Sequence, residues 1–167
     1  MTNRWKPNVT VAALMERDGR YLLVEEETAT GLRLNTPAGH LEPDESIIDG
    51  CIREAWEETA HRFTPTAMLG VYMTRNRRAR LHKGTPTDIT YLRFALTGDV
   101  GEHDPEQALD AGIVRAVWMT PAEIEATRAR HRGPMVWQCV QDHLAGQRFP
   151  LAALFTHTSI TDPEVQG

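Results

Sequence analysis

The N-terminal part of the chain alternates between short apolar runs and turn residues. Residues 9–15 are apolar and partly β-branched, which predicts a strand. Asp18 and Gly19 then give a hairpin signal. Residues 20–26 predict the returning strand, and residues 32–36 predict a further short strand that ends before Pro37. The chain is therefore expected to begin with antiparallel strands.

The next segment, residues 37–63, changes to helical spacing after a loop of sequence PAGHLEPDE. Ser46 is the expected N-cap, with Asp49 three residues later in the manner of a capping box. At about 100° per residue, one side of the helix is predicted to be apolar. That apolar side comprises Ile48, Ile52, Ala55 and Thr59, with Cys51 close to it. A neighbouring arc carries three carboxylates, from Glu54, Glu57 and Glu58.

The remainder predicts more strands and then helices. Strands are expected at residues 67–74, 90–96 and 113–119, with an acidic loop at 97–112. Thr120 and Pro121 predict a helix start, Gly133 and Pro134 a break, and residues 135–145 a last helix before Gly146. This order predicts an α/β fold in which helices cover both faces of a mixed β-sheet.

Composition narrows the class of protein. The 167 residues are 41% hydrophobic and 25% charged, so we expect one globular domain at residues 1–155 and a loose tail at 156–167. A net charge of −5 disfavours binding to a nucleic-acid polymer. With no long apolar run, neither a membrane span nor a signal peptide is expected. The two cysteines match no zinc spacing, which favours reduced thiols in a cytoplasmic protein.

Three carboxylates on one helical arc repel one another unless a cation compensates them. Mg²⁺ and Mn²⁺ prefer carboxylate, carbonyl and water oxygens, so a divalent cation suits Glu54, Glu57 and Glu58. The alternative is a solvated acidic face. The fixed spacing of Gly39, Glu45 and Arg53 ahead of these glutamates favours a functional site.

This spacing resembles the box of the Nudix family, G-x5-E-x7-R-E-U-x-E-E-x-G-U, where U is a bulky apolar residue. Gly39, Glu45, Arg53, Glu54, Glu57 and Glu58 match it. Ala55 is a small first U, Ala60 replaces the second glycine, and His61 replaces the last U. The resemblance implies a mixed sheet between helices, and hydrolysis of a nucleoside diphosphate linked to another group, with Mg²⁺ or Mn²⁺.

The same resemblance implies roles for particular residues. The three box glutamates would hold metal together with the carbonyl of Ala38, and Glu45 and Arg53 would pair and orient them. The stretches KPNVTVAA, PAGHLE, YLRFAL and GQRFPL also resemble bacterial phosphatases of the family, patchily over residues 6–151. That similarity implies nucleoside tri- or diphosphates, or a thiamine-type pyrophosphate, as substrates. The alternatives are a nucleotide-sugar or ADP-ribose hydrolase, or a non-catalytic binding module on the same scaffold.

Several polar residues outside the box are weaker candidates. A basic run between two predicted strands could clamp phosphates, or could be a solvated loop; it contains Arg75, Arg77, Arg78, Arg80 and Lys83. Arg93 on the following strand is the next candidate. An additional acid could come from Glu102, Glu106 or Asp110, which otherwise are solvated. We expect Glu25, Glu26 and Glu27 to be solvated, and His40 to be an ordinary loop residue.

Overall fold

The computed structural model describes residues 4–82 and 85–162, apart from the side chains of residues 77–87. The described part forms seven strands and four α-helices. The strands are β1 (Asn8–Arg17), β2 (Arg20–Thr28), β3 (Gly31–Asn35), β4 (Ala38–His40), β5 (His61–His82), β6 (Thr85–His103) and β7 (Ile113–Met119). The helices are α1 (Ile47–Thr59), α2 (Pro121–Ala126), α3 (Met135–Leu144) and α4 (Thr158–Thr161). Two short 3-10 helices occupy Arg128–Arg130 and Leu151–Ala153.

The strands form one sheet in the order β3-β2-β1-β6-β5, with β4 paired to β1 and β7 paired to β2. β1 and β6 are parallel, and the other pairs are antiparallel. Alternate residues of β1 enter different cores. Val11, Ala13 and Met15 pack with Cys51 and Ala55 of α1. Ala12 and Leu14 pack in the core to which α2 and α3 contribute Ile124, Val136, Trp137 and Val140. The predicted mixed sheet between helices is confirmed.

The first hairpin forms where the sequence predicts it. Asp18 and Gly19 have φ of 53° and 75°, the left-handed pair of a two-residue turn that matches strand twist. In contrast, β4 was not predicted, because three residues after a proline carry no periodic signal. Pairing of β4 with residues 10–12 of β1 turns the start of the box loop into part of the sheet.

The start of α1 is as predicted, and its buried side departs from the prediction at Ile52. The Ser46 hydroxyl accepts from the Asp49 N–H at 3.0 Å, and also contacts the Asp49 carboxylate at 2.6 Å. The predicted inward position of Ile52 is wrong, since this residue is 37% exposed. Cys51 and Ala55 are buried as expected, and Gly50 is buried with them. These small side chains let the helix approach the sheet closely, which bulky Ile52 would prevent.

The strands β5 and β6 form a far longer hairpin than predicted. The expected strands at 67–74 and 90–96 are only its middle, and the expected acidic loop is strand as far as His103. The basic run is likewise not a loop up to His82, while Lys83 lies outside the described residues. Residues 85–90 include three threonines and one isoleucine, which favour a β-strand as the partner. Arg75 also pairs with the carboxylate of Asp88 across the hairpin. Cross-strand pairing in the hairpin therefore overrides a local composition typical of loops.

The C-terminal elements largely follow the prediction. β7 has the expected bounds, and Thr120 and Glu123 form a reciprocal capping box for α2. That helix ends earlier than expected, at Ala126, where a 3-10 turn follows. The division at residue 155 stays a prediction; α4 lies beyond it, and residues 163–167 are outside the description. Among the described helices, none has the length and apolar character needed to cross a membrane.

Helix α1 ends at an alanine in an unusual conformation. Ala60 has φ 55° and ψ 19°, and its N–H donates to the Trp56 carbonyl. This is the left-handed helix end for which glycine is favoured. His61 follows as a buried residue, whose ring packs edge-on against Trp118 at 5.9 Å between centroids. The chain therefore keeps the turn without glycine, and fills the apolar position with an imidazole.

We predict that Ala60→Gly leaves the free energy of unfolding unchanged or raises it by up to about 1 kcal/mol. Relief of left-handed strain of about 1–2 kcal/mol exceeds or offsets the lost methyl burial and the added unfolded-state freedom. Urea denaturation checks this. Ala145→Gly is the matched control, because Ala145 caps α3 at an ordinary φ of −71° and should lose about 0.5–1 kcal/mol. Equal destabilisation by both changes would contradict strain at Ala60.

Candidate active site

One guanidinium organises the acidic end of the box. Arg53 donates to both carboxylate oxygens of Glu45, at 2.9 and 2.8 Å. Its Nη1 donates to Glu54 at 2.7 Å and to Glu57 at 3.0 Å. Its Nη2 also reaches the His40 carbonyl at 3.0 Å. All five N–H groups of the fork are thereby used, which fixes the loop and the helix relative to each other.

Glu58 is held separately, from the sheet side. Its Oε2 accepts from the Ala38 N–H at 2.8 Å. Ala38 lies opposite Ala12 in the antiparallel register, whereas the neighbouring Pro37 carbonyl accepts from Ala13. Ala38 is therefore a residue whose N–H and C=O both point away from β1. The Ala38 carbonyl is consequently free of β1 and faces the side on which Glu58 lies.

Close packing around Gly39, and not a positive φ, explains the glycine at this position of the box. A Cβ on Gly39 would overlap the carboxylate of Glu54. A Cβ on Gly50 would similarly meet Oε1 of Glu45 at 2.6 Å. Both glycines make room for carboxylates of the same site.

Two of the carboxylates are buried among other acids. Glu54 and Glu58 are only 7% and 8% exposed. Burial raises the pKa of Glu54, although Arg53 opposes that rise. Burial raises the pKa of Glu58 to about 8, opposed by the Ala38 hydrogen bond and reinforced by the charges of Glu54, Glu26 and Asp110. Three box carboxylates therefore share one guanidinium, Glu58 has no guanidinium partner among the described residues, and further positive charge would stabilise all four as anions.

The chemistry of this donor set fits a divalent cation. Carboxylate oxygens and a free backbone carbonyl are the ligands that Mg²⁺ and Mn²⁺ prefer. Among the described residues, no three His, Cys, Asp or Glu side chains stand in ligating positions. Arg53 instead bridges Glu54 and Glu57. The guanidinium thus provides the counter-charge there, and a cation would require these side chains to rearrange.

A cleft of about 720 Å³ opens beside Ala38 and Gly39. Arg75, Arg93 and Arg132 line it. Arg93 has no ion pair within the described part of the chain, and its one hydrogen bond is to the Thr36 hydroxyl at 3.5 Å. Burial lowers the pKa of Arg93. Of the predicted basic residues, Arg75 and Arg93 therefore line the cleft, whereas the side chains of Arg77, Arg78 and Arg80 lie outside the description.

The other acidic candidates divide between the site and solvent. The Asp110 N–H donates to the Glu57 carbonyl at 3.0 Å, so Asp110 adjoins the end of α1. Glu102 and Glu106 are exposed. The predicted solvation of Glu25 is wrong, because this buried carboxylate pairs with Arg115 and Arg130. These two arginines come from β7 and the 3-10 turn, elements whose proximity to β2 has no local sequence signal.

The predicted solvation of Glu26 is also wrong. This residue lines the cleft, and burial raises its pKa while the charges of Arg132 and Arg93 oppose that rise. The sequence analysis likewise did not select Thr10, Asn35 or Arg132, which line the same cleft. The parallel pairing of β1 with β6 brings Thr10 beside Arg93. A polar residue within a buried strand was the only available signal for Thr10.

Comparisons with known proteins agree with this geometry. Residues 4–138 match the NUDIX domain. The chain is 35% identical to phosphatase NudJ of Escherichia coli K12 over 149 residues, 88% of this chain and 90% of that protein. A NUDIX hydrolase from Nitrosomonas europaea superposes with a TM-score of 0.80 at 51% identity, covering 91% of this chain and 98% of that one. The MutT protein from Methanosarcina mazei Go1 shares the fold at 21% identity, with a TM-score of 0.61 and coverage of 87% and 100%.

We predict that Gly39→Ala lowers the free energy of unfolding by about 1–3 kcal/mol, because the added methyl overlaps the Glu54 carboxylate. The matched test is the same change in a Glu54→Asp background, whose shorter side chain leaves room. Urea denaturation of the four proteins gives the coupling between the two sites. A substantially smaller effect of the alanine is expected in the Glu54→Asp background than in the wild type. Additive effects would show that Gly39 and Glu54 do not compete for space.

Proposed function

Because this chain belongs to the Nudix hydrolase family and is a hydrolase of phosphoanhydride-type bonds, we propose that it hydrolyses nucleoside tri- or diphosphates, or a thiamine-type pyrophosphate, through attack of water on phosphorus. The observation that carries this proposal is the carboxylate cluster held by Arg53 beside a cationic cleft. The cluster suits the reacting phosphate and its cation. The cleft suits the rest of a small anionic substrate.

Divalent metal ions are general cofactors of this family, and Mg²⁺ or Mn²⁺ is the proposed ion here. Glu54, Glu57, Glu58 and the Ala38 carbonyl would hold it. When bound, such an ion neutralises phosphate oxygens and makes water a stronger nucleophile. The excess of carboxylates over guanidinium charge supports this assignment.

The protein's own residues then have distinct roles. Arg53 is a positioning residue, since its fork orients Glu54 and Glu57 and ties both to the loop. Glu45 acts through Arg53 by occupying two of its donors. A carboxylate of the cluster accepts the proton of the attacking water, for which Glu54, Glu57 and Glu58 are all suited chemically.

Substrate binding is assigned to the cationic side of the cleft. Arg93, without an ion pair among the described residues, is available to an anion or to a polar ring atom. Contacts from Arg77, Arg78 and Arg80 stay a prediction from the sequence. A small-molecule nucleotide, rather than a nucleic-acid polymer, matches a net charge of −5. A cytoplasmic location also stays a prediction, for which the two free, buried cysteines give support.

The alternatives are separable by substrate. A nucleotide-sugar or ADP-ribose hydrolase would release a nucleoside monophosphate from those substrates in preference to cleaving nucleoside triphosphates. A non-catalytic module is suggested by Ala60 and His61. In this structure neither of these two residues displaces the carboxylates. Ala60 keeps the left-handed end of the helix, and the His61 ring packs in the core against Trp118. A panel of nucleotides, thiamine diphosphate, a nucleotide sugar and ADP-ribose distinguishes these functions.

We predict that Glu57→Gln and Glu58→Gln each reduce turnover about a hundredfold or more while the protein stays folded. Each change removes a negative charge proposed to hold the cation that acts on the phosphate and relieves repulsion between like charges. Phosphate release over the substrate panel in saturating Mg²⁺ measures the effect, and circular dichroism monitors folding. Glu125→Gln on exposed α2 is the matched control. Activity within about fivefold of wild type in both variants would contradict the assignment.

A further inference from the structure

The cleft beside the carboxylates contains two buried polar atoms that lack partners. Within the described part of the chain, Thr10 Oγ1 and Glu26 Oε1 are buried and have no hydrogen bond of normal geometry. Burial raises the pKa of Glu26, although the nearby Asn35 side chain helps to lower it. Thr10 is only 5% exposed, yet lines the cleft. Such atoms normally have a partner in folded proteins, because leaving one unpaired costs about 1–3 kcal/mol. Because both atoms lie in one cleft, we interpret the cleft as a binding site for a polar ligand.

The two atoms differ in what they can bind. Ionised Glu26 accepts hydrogen bonds only, and its other oxygen lies 3.6 Å from Arg132. The free Oε1 therefore calls for an N–H or O–H donor. A phosphate, which offers only acceptors when ionised, would be repelled at this position. The Glu26 end of the cleft thus suits the uncharged end of a nucleotide.

The neighbouring donors complete the pattern. Thr10 lies beside Arg93 in the β1–β6 register. The Thr10 hydroxyl can donate, and Arg93 uses one of its five N–H donors, in a long hydrogen bond to Thr36. Both can meet a ring nitrogen or carbonyl acceptor. This wall of the cleft is therefore complementary to a ligand that carries a hydrogen-bond donor next to a hydrogen-bond acceptor.

The remaining walls suit a planar ring. Tyr91, Ile89, Pro134 and Met135 line the same cleft. Aromatic and apolar side chains of this kind stack on heterocycles. The cleft begins at Ala38 and Gly39, next to Glu58 and Glu54. A ligand with phosphates at the carboxylates could thus place its ring in the cleft.

We propose that the cleft selects nucleotides whose base carries an exocyclic amine, with Glu26 Oε1 accepting from that amine and with Thr10 and Arg93 donating to the adjacent ring acceptor. Adenine, cytosine and guanine have this arrangement, whereas hypoxanthine, uracil and unsubstituted purine lack the amine. This inference rests on the proposed function only where it is tested by rates of hydrolysis. Base recognition itself is a binding property of the cleft.

The test uses pairs of triphosphates that differ at the amine: GTP with ITP, CTP with UTP, and ATP with purine riboside triphosphate. Wild-type protein should prefer the amine-bearing member of at least one pair by about tenfold in kcat/KM, because a buried acceptor left unpaired disfavours the analogue. Glu26→Leu, which removes the acceptor, should bring that ratio close to one. Glu27→Leu, at an exposed neighbour on the same strand, is the matched control and should leave it unchanged.

A second variant separates the two polar atoms. Thr10→Val removes the hydroxyl but keeps the shape. It should raise KM for both members of the GTP–ITP and ATP–purine pairs, which share their ring acceptor, without changing the ratio within a pair. Its stability should not fall, since the hydroxyl has no partner to lose. Glu26→Leu, in contrast, should change the ratio. These distinct effects would not arise from general loosening of the cleft.

Calorimetry with the corresponding diphosphates and a metal chelator provides a readout independent of turnover. If no nucleotide is hydrolysed with Mg²⁺ or Mn²⁺, the proposed function fails, while tighter binding of the amine-bearing diphosphates would still support the cleft's role. Equal binding and equal kcat/KM within all three pairs would overturn the inference. So would a wild-type preference that Glu26→Leu leaves intact.

Discussion

The structure of the site depends on the Arg53 guanidinium. Its five donors join Glu45 of the loop, Glu54 and Glu57 of α1, and the His40 carbonyl at the end of β4. Charge-assisted hydrogen bonds in a fork are strong and directional. Loop, helix and sheet are thus connected at one side chain. A lysine, with one ammonium group, could not hold these directions together.

The single positive charge of Arg53 does not balance the negative charges of the site. Arg53 pairs with three of the four box carboxylates, Glu58 lies apart from it, and both Glu54 and Glu58 are buried. Buried like charges are destabilising unless they are neutralised or compensated. Gly39 and Gly50 nevertheless provide the space that brings the carboxylates together. A site with this excess of negative charge is suited to a ligand that carries cations with it, such as a metal-bound diphosphate.

The clustering of the box residues follows from the sequence more directly than their surroundings do. These residues lie within one loop and one helix, so their spacing alone places Glu54 and Glu57 near Arg53. The direction of the buried side of α1 was missed at Ile52, because it depends on how closely the helix meets β1. The β5–β6 hairpin and the burial of Glu26 depend on pairings between distant segments. Local composition at 75–83 and 25–27 cannot report such pairings.

Titration calorimetry with Mn²⁺ on wild type and Glu54→Gln, without substrate, directly tests whether the carboxylates around Arg53 bind a divalent cation. Wild type should bind Mn²⁺, its melting temperature should rise as the ion saturates it, and Glu54→Gln should weaken binding about tenfold or more. The absence of Mn²⁺ binding to the wild type, or unchanged affinity in Glu54→Gln, would contradict a metal site at this cluster.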